Sequence, residues 1–159
     1  MEEGGAKAAS AGDLQAEQDR KALHLMLQYV CTTTRADGCA VALIQGSAHE
    51  VQASVGTTPP SDGALHPTVA MRAECLRTGA VVDCVDTASD ARGLVDTAAC
   101  GQMNIGAVVA APVSMDGRTV GVLEVHSALA YNFMEDDIEV LKRVADVIGA
   151  LICRKAKVV

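Results

Sequence analysis

Apolar positions near the amino terminus of this chain recur with the period of a helix. From residue 13 to about residue 34 they fall on two stripes: Leu23, Met26, Leu27, Val30 and Cys31 on one, and Ala22, Leu25 and Tyr29 on the other. Asp13 is the predicted N-cap, but Ala16 stands where the second half of a capping box needs an acidic or amide side chain. The spacing therefore predicts a helix with a loosely defined start and apolar character on more than one side.

The period then changes to that of strands. Residues 39–45 (CAVALIQ) have few polar interruptions, a turn is predicted at residues 46–47, and residues 49–56 (HEVQASVG) alternate apolar with polar side chains. These two segments predict a hairpin, followed by a loop from Gly56 to Gly63.

A second helix and a short strand are predicted after this loop. Residues 67–79 (PTVAMRAECLRTG) have a helical pattern that ends at a glycine, and residues 80–86 (AVVDCVD) favour a strand. Thr87 with Asp90 has the spacing of a capping pair, which predicts a weak, broken helix before residue 105.

Two further strands form the centre of the predicted sheet. Residues 105–113 (IGAVVAAPV) are apolar at consecutive positions, so both faces of this strand are expected to be covered. Asp116-Gly117 is typical of a two-residue hairpin turn, and it connects this strand to residues 118–127 (RTVGVLEVHS). The central pair is therefore predicted to be antiparallel.

The last helix, from near Met134, has two apolar stripes. One consists of Ile138, Leu141, Ala145, Ile148 and Ile152, and the other of Val140, Val144, Val147 and Leu151. One sheet face can cover only one stripe, so the other needs a helix of this chain or of a neighbouring subunit. The predicted dimer interface comprises Leu25, Tyr29, Val140, Val144, Val147 and Leu151.

Composition narrows the classes of function. The length of 159 residues predicts one domain over 13–157 after a disordered lead-in over 1–12 rich in Gly, Ala and Ser. A net charge of −7 and 2% aromatic residues argue against nucleic acid as a partner. The longest stretch without polar side chains is far shorter than the roughly 20 residues of a membrane helix, and the first residues lack the pattern of a signal peptide. We therefore expect a soluble, cytoplasmic protein that binds no membrane.

Six cysteines stand at positions 31, 39, 75, 84, 100 and 153, without a C-x-x-C motif. This spacing predicts neither a zinc site nor a disulfide framework, and the cysteines are expected to act as small buried apolar residues.

Two groups of ionisable residues are candidates for chemistry. Asp83, Asp86, Asp90 and Asp96 crowd one segment, but they lack calcium-loop spacing and are expected to cap and brace loops, so no metal is predicted. Glu124 and His126 lie on one face of their strand, where a carboxylate and an imidazole could transfer a proton. No nucleophile motif lies nearby, so a solvated or hydrogen-bonded structural pair is expected.

Three motifs in this order of elements resemble the GAF domain family, the small-molecule sensing modules of cyclic-nucleotide phosphodiesterases, adenylyl cyclases and bacterial regulators. They are residues 74–92 (ECLRTGAVVDCVDTASDAR), 104–113 (NIGAVVAAPV) and 117–127 (GRTVGVLEVHS). The resemblance covers about residues 20–153.

The resemblance implies an α+β sandwich around an antiparallel sheet of order 2-1-5-4-3. The terminal helices would lie on one face, and a pocket roofed by about residues 57–104 on the other. It also implies a homodimer formed through the terminal helices and a ligand that is a small polar metabolite or a cyclic nucleotide. The residues expected around the pocket are Met71, Arg72, Asp83, Asp86, Arg92, Cys100, Met103 and Asn104.

Family members with other chemistry provide the alternatives. Cys100 lies about where the free-methionine sulfoxide reductases carry a cysteine, but their glycine-rich loop with its own cysteine has no counterpart at residues 65–72. Bilin-binding relatives carry a cysteine next to His, whereas Cys75 precedes Leu76, and residues 96–104 lack the His that haem sensing requires. We therefore expect a sensory or regulatory domain without catalysis, haem or bilin. A thiol-dependent reductase and a pure dimerisation scaffold are the alternatives.

Overall fold

The computed structural model of the chain describes residues 8, 10–57 and 67–156. Its elements are α1 (Ala11–Thr34), β1 (Gly38–Gln45), β2 (Ala48–Gly56), α2 (Val69–Thr78), β3 (Val82–Cys84), a short 3₁₀ helix (Thr87–Ser89), α3 (Thr97–Gln102), β4 (Ala107–Met115), β5 (Arg118–Ser127) and α4 (Glu135–Ala156). The predicted loop after Gly56 lies mostly outside the described residues.

The five strands form one antiparallel sheet of order β2-β1-β5-β4-β3, which confirms the predicted fold class and strand order. The turn between β4 and β5 has positive φ at both Asp116 (51°) and Gly117 (78°). Positive φ at both central residues is the requirement of the hairpin turn that this dipeptide favours.

The terminal helices pack together on one face of the sheet. The apolar core under them includes Leu27 and Val30 of α1, Leu123 of β5, and Leu141 and Ile148 of α4. This packing shows that, of the two stripes of α4, the one containing Leu141 and Ile148 rests on the sheet.

The opposite face is covered by α2, α3 and the segments between them. A second apolar core there includes Met71 and Cys75 of α2, Cys100 of α3, Val108 of β4 and Val122 of β5. Because β4 and β5 lie between two cores, their buried positions are almost continuous, as the sequence predicts.

Helix starts differ from the sequence predictions. Ser10, rather than Asp13, is the N-cap of α1: its hydroxyl accepts from the Asp13 backbone N–H, and the Asp13 carboxylate accepts from the Ser10 backbone N–H, which completes a capping box. The helix therefore includes residues 11 and 12 of the predicted lead-in, while most of residues 1–9 lie outside the described part. The predicted Thr87–Asp90 cap is also wrong: Asp86 caps the 3₁₀ helix and Asp96 caps α3.

The residues of α1 and α4 predicted for the dimer interface are divided between the core and the surface. Val144 is 9% exposed and belongs to the first core, where α1 packs on α4, while its place in a dimer interface stays a prediction. Val140 and Leu151 are half-buried. Leu25 (64% exposed), Tyr29 (56%) and Val147 (53%) are on the surface.

None of the helices in the described part of the chain has both the length and the apolar character needed to cross a bilayer.

The close packing of α4 on the sheet predicts the effect of a single methyl group. A Cβ at Gly149 would overlap the backbone carbonyl oxygen of Ser114 in β4. We expect Gly149→Ala to lower the free energy of unfolding by about 1–3 kcal/mol through overpacking. Gly101→Ala in α3, where a Cβ would meet nothing within 4 Å, should raise it by up to about 1 kcal/mol because alanine favours helix. Urea denaturation measures both, and equal effects would contradict the packing described here.

Candidate functional site

The face of β5 opposite the terminal helices carries two polar side chains above small neighbours. Glu124 pairs across the sheet with Ala40 of β1 and Ala110 of β4, and His126 pairs with Gly38 of β1. Side chains two residues apart on a strand share a face, so both project to the side covered by α2. These neighbours are small, whereas Val108 of β4, the other cross-strand partner of His126, belongs to the second apolar core.

The start of α2 supplies partners for Glu124. Thr68 precedes the helix and Arg72 follows one turn later, so both lie on the same side of it. The Arg72 Nε donates to Glu124 Oε2 at 2.7 Å, and the Thr68 hydroxyl donates to Glu124 Oε1 at 2.7 Å. Glu124 is 1% exposed and Arg72 is 3% exposed, so an ion pair is enclosed between α2 and the sheet.

His126 completes the arrangement, but only one of its two ring nitrogens has a hydrogen-bond partner among the described residues. Its Nε2 lies 3.0 Å from Glu124 Oε1, which confirms that the two form a hydrogen-bonded pair. Since a carboxylate accepts, we assign the proton to Nε2, which leaves Nδ1 of the neutral ring as an acceptor. Nδ1 is buried and has no hydrogen-bond partner among the described residues.

His49 of β2 lies at the margin of this arrangement. Its Nδ1 is 3.5 Å from Arg72 Nη1, a long hydrogen bond in which the guanidinium donates. Burial lowers the pKa of His49, and the positive charge of Arg72 lowers it further against the opposing effect of Glu124. His49 is therefore neutral at neutral pH and suited to accept. Thr68, Arg72, Glu124, His126 and His49 are called the polar cluster below.

Of the residues predicted for the pocket, only Arg72 belongs to the polar cluster. Met71 and Cys100 are part of the second apolar core, Met103 packs against it, and Asn104 is exposed with a φ of 56°. The other three predicted residues lie beside β3.

Near β3, the predicted residues brace loops. Arg92 donates to the backbone oxygen of Asp83 at 2.6 Å and to the Asp90 carboxylate at 3.2 Å, while Asp86 caps the 3₁₀ helix. A shallow groove of about 470 Å³ lies here, lined in part by Asp83 and Arg92. These contacts agree with the predicted bracing role of the aspartates.

Sequence reasoning missed Thr68, His49 and the role of Glu124 and His126 in a buried site. One signal was available: Glu124 and His126 are the only ionisable residues in a nearly continuous apolar stretch of β5. Ionisable side chains are rarely buried without partners. Their partners could not be read from local patterns, because Arg72 precedes Glu124 by 52 positions.

The buried thiols on this side of the sheet are poorly suited to act as nucleophiles. Cys100 is fully buried, and burial raises its pKa to about 11. Burial also raises the pKa of Cys75 to about 12 and that of Cys84 in the same direction. The thiolate is the reactive form, so at neutral pH these groups are mainly inert thiols.

Several solved structures have a fold similar to that of this chain. The chain is similar to a type II free methionine-R-sulfoxide reductase from Thermoplasma acidophilum, with a TM-score of 0.71 and 17% identity over 87% of this chain and 95% of that one. It is also similar to GAF domains of phosphoenolpyruvate-protein phosphotransferases. The one from Coxiella burnetii has a TM-score of 0.72 and 17% identity over 91% and 92% of the two chains. The one from Acinetobacter has a TM-score of 0.69 and 16% identity over 95% and 98%.

The sheet order and the terminal helices define a class of small α+β domains built on five antiparallel strands. The model of the GAF domain matches residues 20–152, so the chain belongs to the GAF domain family. Among curated proteins, none matches it. Since the solved structures are under 20% identical, they support the fold, while the function has to be argued from the site.

Because the Arg72–Glu124 ion pair is buried, we expect replacement of Arg72 to lower the free energy of unfolding much more than replacement of Arg77, which lies on the same helix. Arg72→Met leaves the Glu124 carboxylate buried without its cation and should lower the free energy of unfolding by about 3–5 kcal/mol. The control is Arg77→Met on the same helix, whose guanidinium pairs with Glu74 in solvent and whose loss should change little. The double variant Arg72→Met/Glu124→Met should recover part of the loss. Guanidinium denaturation tests this, and equal effects of the two single variants would contradict a stabilising pair.

Proposed function

We propose that this domain is a sensory or regulatory module that binds a small polar molecule at the polar cluster and has no catalytic activity. The observation that carries the proposal is the buried Nδ1 of His126, which has no hydrogen-bond partner among the residues that the structure describes. A buried acceptor without a partner costs about 1–3 kcal/mol, so a native fold retains one only for a reason. A ligand hydroxyl, amine or amide N–H would satisfy it.

The aromatic residues support a hydrogen-bonded ligand rather than a stacked one. The chain has three aromatic side chains, and none belongs to the polar cluster. Phe133 packs against the first core, while Tyr29 and Tyr131 are exposed. A nucleobase or flat chromophore would therefore find little to stack on. This favours a small polar metabolite over a cyclic nucleotide.

Transmission of the signal is proposed to run through the terminal helices. Glu124 and His126 lie on β5, which leads into α4 and contacts it, so a ligand that displaces either side chain acts on a strand that adjoins this helix. Exposed apolar residues on α1 and α4 suit a homodimer in which two helix arrangements interconvert. Binding would then shift the population between them.

A thiol-dependent sulfoxide reductase is the second candidate. It is favoured by the position of Cys100 and by the fold shared with the Thermoplasma enzyme. The burial of Cys100 and its raised pKa weigh against it, because its thiol would need activation. Thioredoxin-dependent turnover of methionine-R-sulfoxide that disappears in Cys100→Ser would support this candidate over the sensor.

The ligand proposal predicts separate effects on stability and binding. Native mass spectrometry detects molecules that co-purify, and thermal shift tests L-methionine, methionine sulfoxide, cyclic AMP and cyclic GMP as probes. His126→Leu removes the buried acceptor Nδ1 together with the hydrogen bond from Nε2 to Glu124, so the two effects should partly offset each other and change the free energy of unfolding of the ligand-free protein by no more than about 2 kcal/mol. Affinity for the bound molecule should fall about tenfold, the value of one hydrogen bond.

The control is His24→Leu, because His24 is an exposed histidine of α1 whose side chain is hydrogen-bonded to Gln28 on the same helix. It should bind like wild type. Equal binding by both variants would refute the site, and absence of any bound molecule with a stable dimer would favour the scaffold.

The dimer proposal predicts that a charge at one exposed leucine weakens self-association, whereas a charge at another exposed leucine does not. Leu25→Glu on α1 should weaken self-association at least about tenfold, because it places a charge in an apolar interface. Leu129→Glu, at a leucine 69% exposed between β5 and α4, should leave it unchanged. Sedimentation equilibrium measures both, and a monomeric wild-type protein would overturn the proposal.

A further inference from the structure

The loop between β5 and α4 presents large apolar side chains to solvent. Leu129 is 69% exposed, Tyr131 66% and Met134 63%, and Val85, which follows β3, is 46% exposed. The first three lie close together in the chain, and a backbone hydrogen bond joins Val85 to Tyr131. Single exposed apolar residues are ordinary, but a group of them marks a site of interaction. These four residues are called the apolar loop surface below.

The backbone of this loop is held by hydrogen bonds to two other parts of the fold. The backbone N–H of Ala128 donates to the Asp37 carboxylate at 2.6 Å, and the Asn132 side chain donates to a carbonyl oxygen just after α1 at 3.3 Å. The backbone N–H of Tyr131 donates to the carbonyl oxygen of Val85 at 2.7 Å. The apolar side chains therefore extend from an ordered backbone, which lowers the entropy that a partner would lose in binding them.

Tyr131 has an unfavourable backbone conformation for its residue type. Its φ of 62° lies in the left-handed region, which glycine or asparagine occupies more readily than a residue with a large side chain. Such conformations cluster at functional sites, where the side chain has a role. Tyrosine is also among the residues that contribute most to the energy of protein interfaces. An exposed tyrosine at this position points to a function of the ring rather than of the turn.

The charges beside the loop are mainly negative. Glu135 and Asp136 are exposed and directly follow Met134, and the Asp37 carboxylate that holds the loop is on an exposed residue. Arg35 supplies one positive charge in the same region. A partner with cationic groups complements this surface. A second copy of the same surface would bring like charges together, and an anionic membrane would be repelled.

We propose that the apolar loop surface docks a cationic amphipathic segment of another protein. The apolar side of that segment contacts Leu129, Tyr131 and Met134, and its Lys or Arg side chains pair with Glu135 and Asp136. None of these residues belongs to the polar cluster or to the predicted dimer interface. The inference therefore does not depend on the proposed function.

A synthetic peptide tests the chemistry of the partner. The probe is a fluorescently labelled amphipathic helix of leucine and lysine, and its counterpart has the same pattern with glutamate in place of lysine. Fluorescence anisotropy with the full chain measures the affinity for each peptide. We expect the lysine peptide to bind, with an affinity that falls as salt is added, and the glutamate peptide not to bind.

Tyr131→Asn separates the role of the ring from that of the backbone. The affinity for the lysine peptide should fall at least about tenfold, as for truncation of an interface aromatic. Tm should stay unchanged or rise, because asparagine tolerates the left-handed conformation better. The matched control is Tyr29→Asn at the exposed tyrosine of α1, which should bind the peptide like wild type. A tyrosine with a structural role alone would give the opposite result, a lower Tm with unchanged binding.

The charge contribution is tested in the same way. Glu135→Gln should weaken binding of the lysine peptide about two- to fivefold at low salt, the value of one exposed charge pair. Glu50→Gln is the control, because it removes the same charge from an exposed position of β2. It should leave the affinity unchanged.

Four results would overturn the proposal. The first is no binding of the lysine peptide, and the second is equal binding by wild type, Tyr131→Asn and Glu135→Gln, which would indicate attraction by the net charge of −7 alone. The third is self-association in sedimentation that Tyr131→Asn abolishes, which would make the surface an interface between copies. The fourth is retention on phosphatidylcholine vesicles that depends on Tyr131. If Tyr131→Asn fails to fold, Leu129→Ser at a mostly exposed side chain decides the same question.

Discussion

The ion pair between Arg72 and Glu124 connects α2 to the face of the sheet that carries the polar cluster. It holds the first turn of α2 against β5 and fixes the position of the Glu124 carboxylate. The same carboxylate also accepts hydrogen bonds from Thr68 and His126. A charged pair at this depth is stable only with good geometry and additional hydrogen bonds. The structure supplies these, so the position of α2 above the sheet follows from electrostatics as well as from apolar contact.

The two faces of the sheet consequently have different characters. Under α1 and α4 the contacts are almost entirely apolar, and close approach at Gly149 brings helix and sheet backbones together. Under α2 the apolar core adjoins the polar cluster, in which His126 Nδ1 is buried without a hydrogen-bond partner in the described part of the chain. The first face suits a stable platform for the proposed dimer interface, and the second suits the proposed binding of a ligand.

Family membership alone leaves the function open. The GAF fold is shared by a reductase and by domains of phosphotransferases at similar, low identity, and fold similarity does not transfer chemistry. Here the argument depends on individual groups. Buried thiols with raised pKa values weigh against a reductase that uses Cys100, while the incomplete hydrogen bonding of His126 favours binding.

Local patterns in the sequence determined the elements and, with the family resemblance, their order in the sheet. The continuous apolar run of β4, the Asp116-Gly117 turn and the inner stripe of α4 are each set by neighbours within a few residues. The start of α1 is also set by neighbouring residues, but the predicted N-cap was Asp13. In the structure Ser10 is the N-cap, and Asp13, the third residue of the helix, closes the capping box.

The tertiary structure alone decided which polar groups meet and which apolar groups are covered. Arg72, Glu124 and His49 are separated along the chain, and only the packing of α2 on the sheet brings them together. Val144 has the spacing of an exposed stripe, yet α1 packs against α4 and buries it. Periodicity reports which face of an element is apolar; the partner that meets that face depends on contacts between segments far apart in the chain.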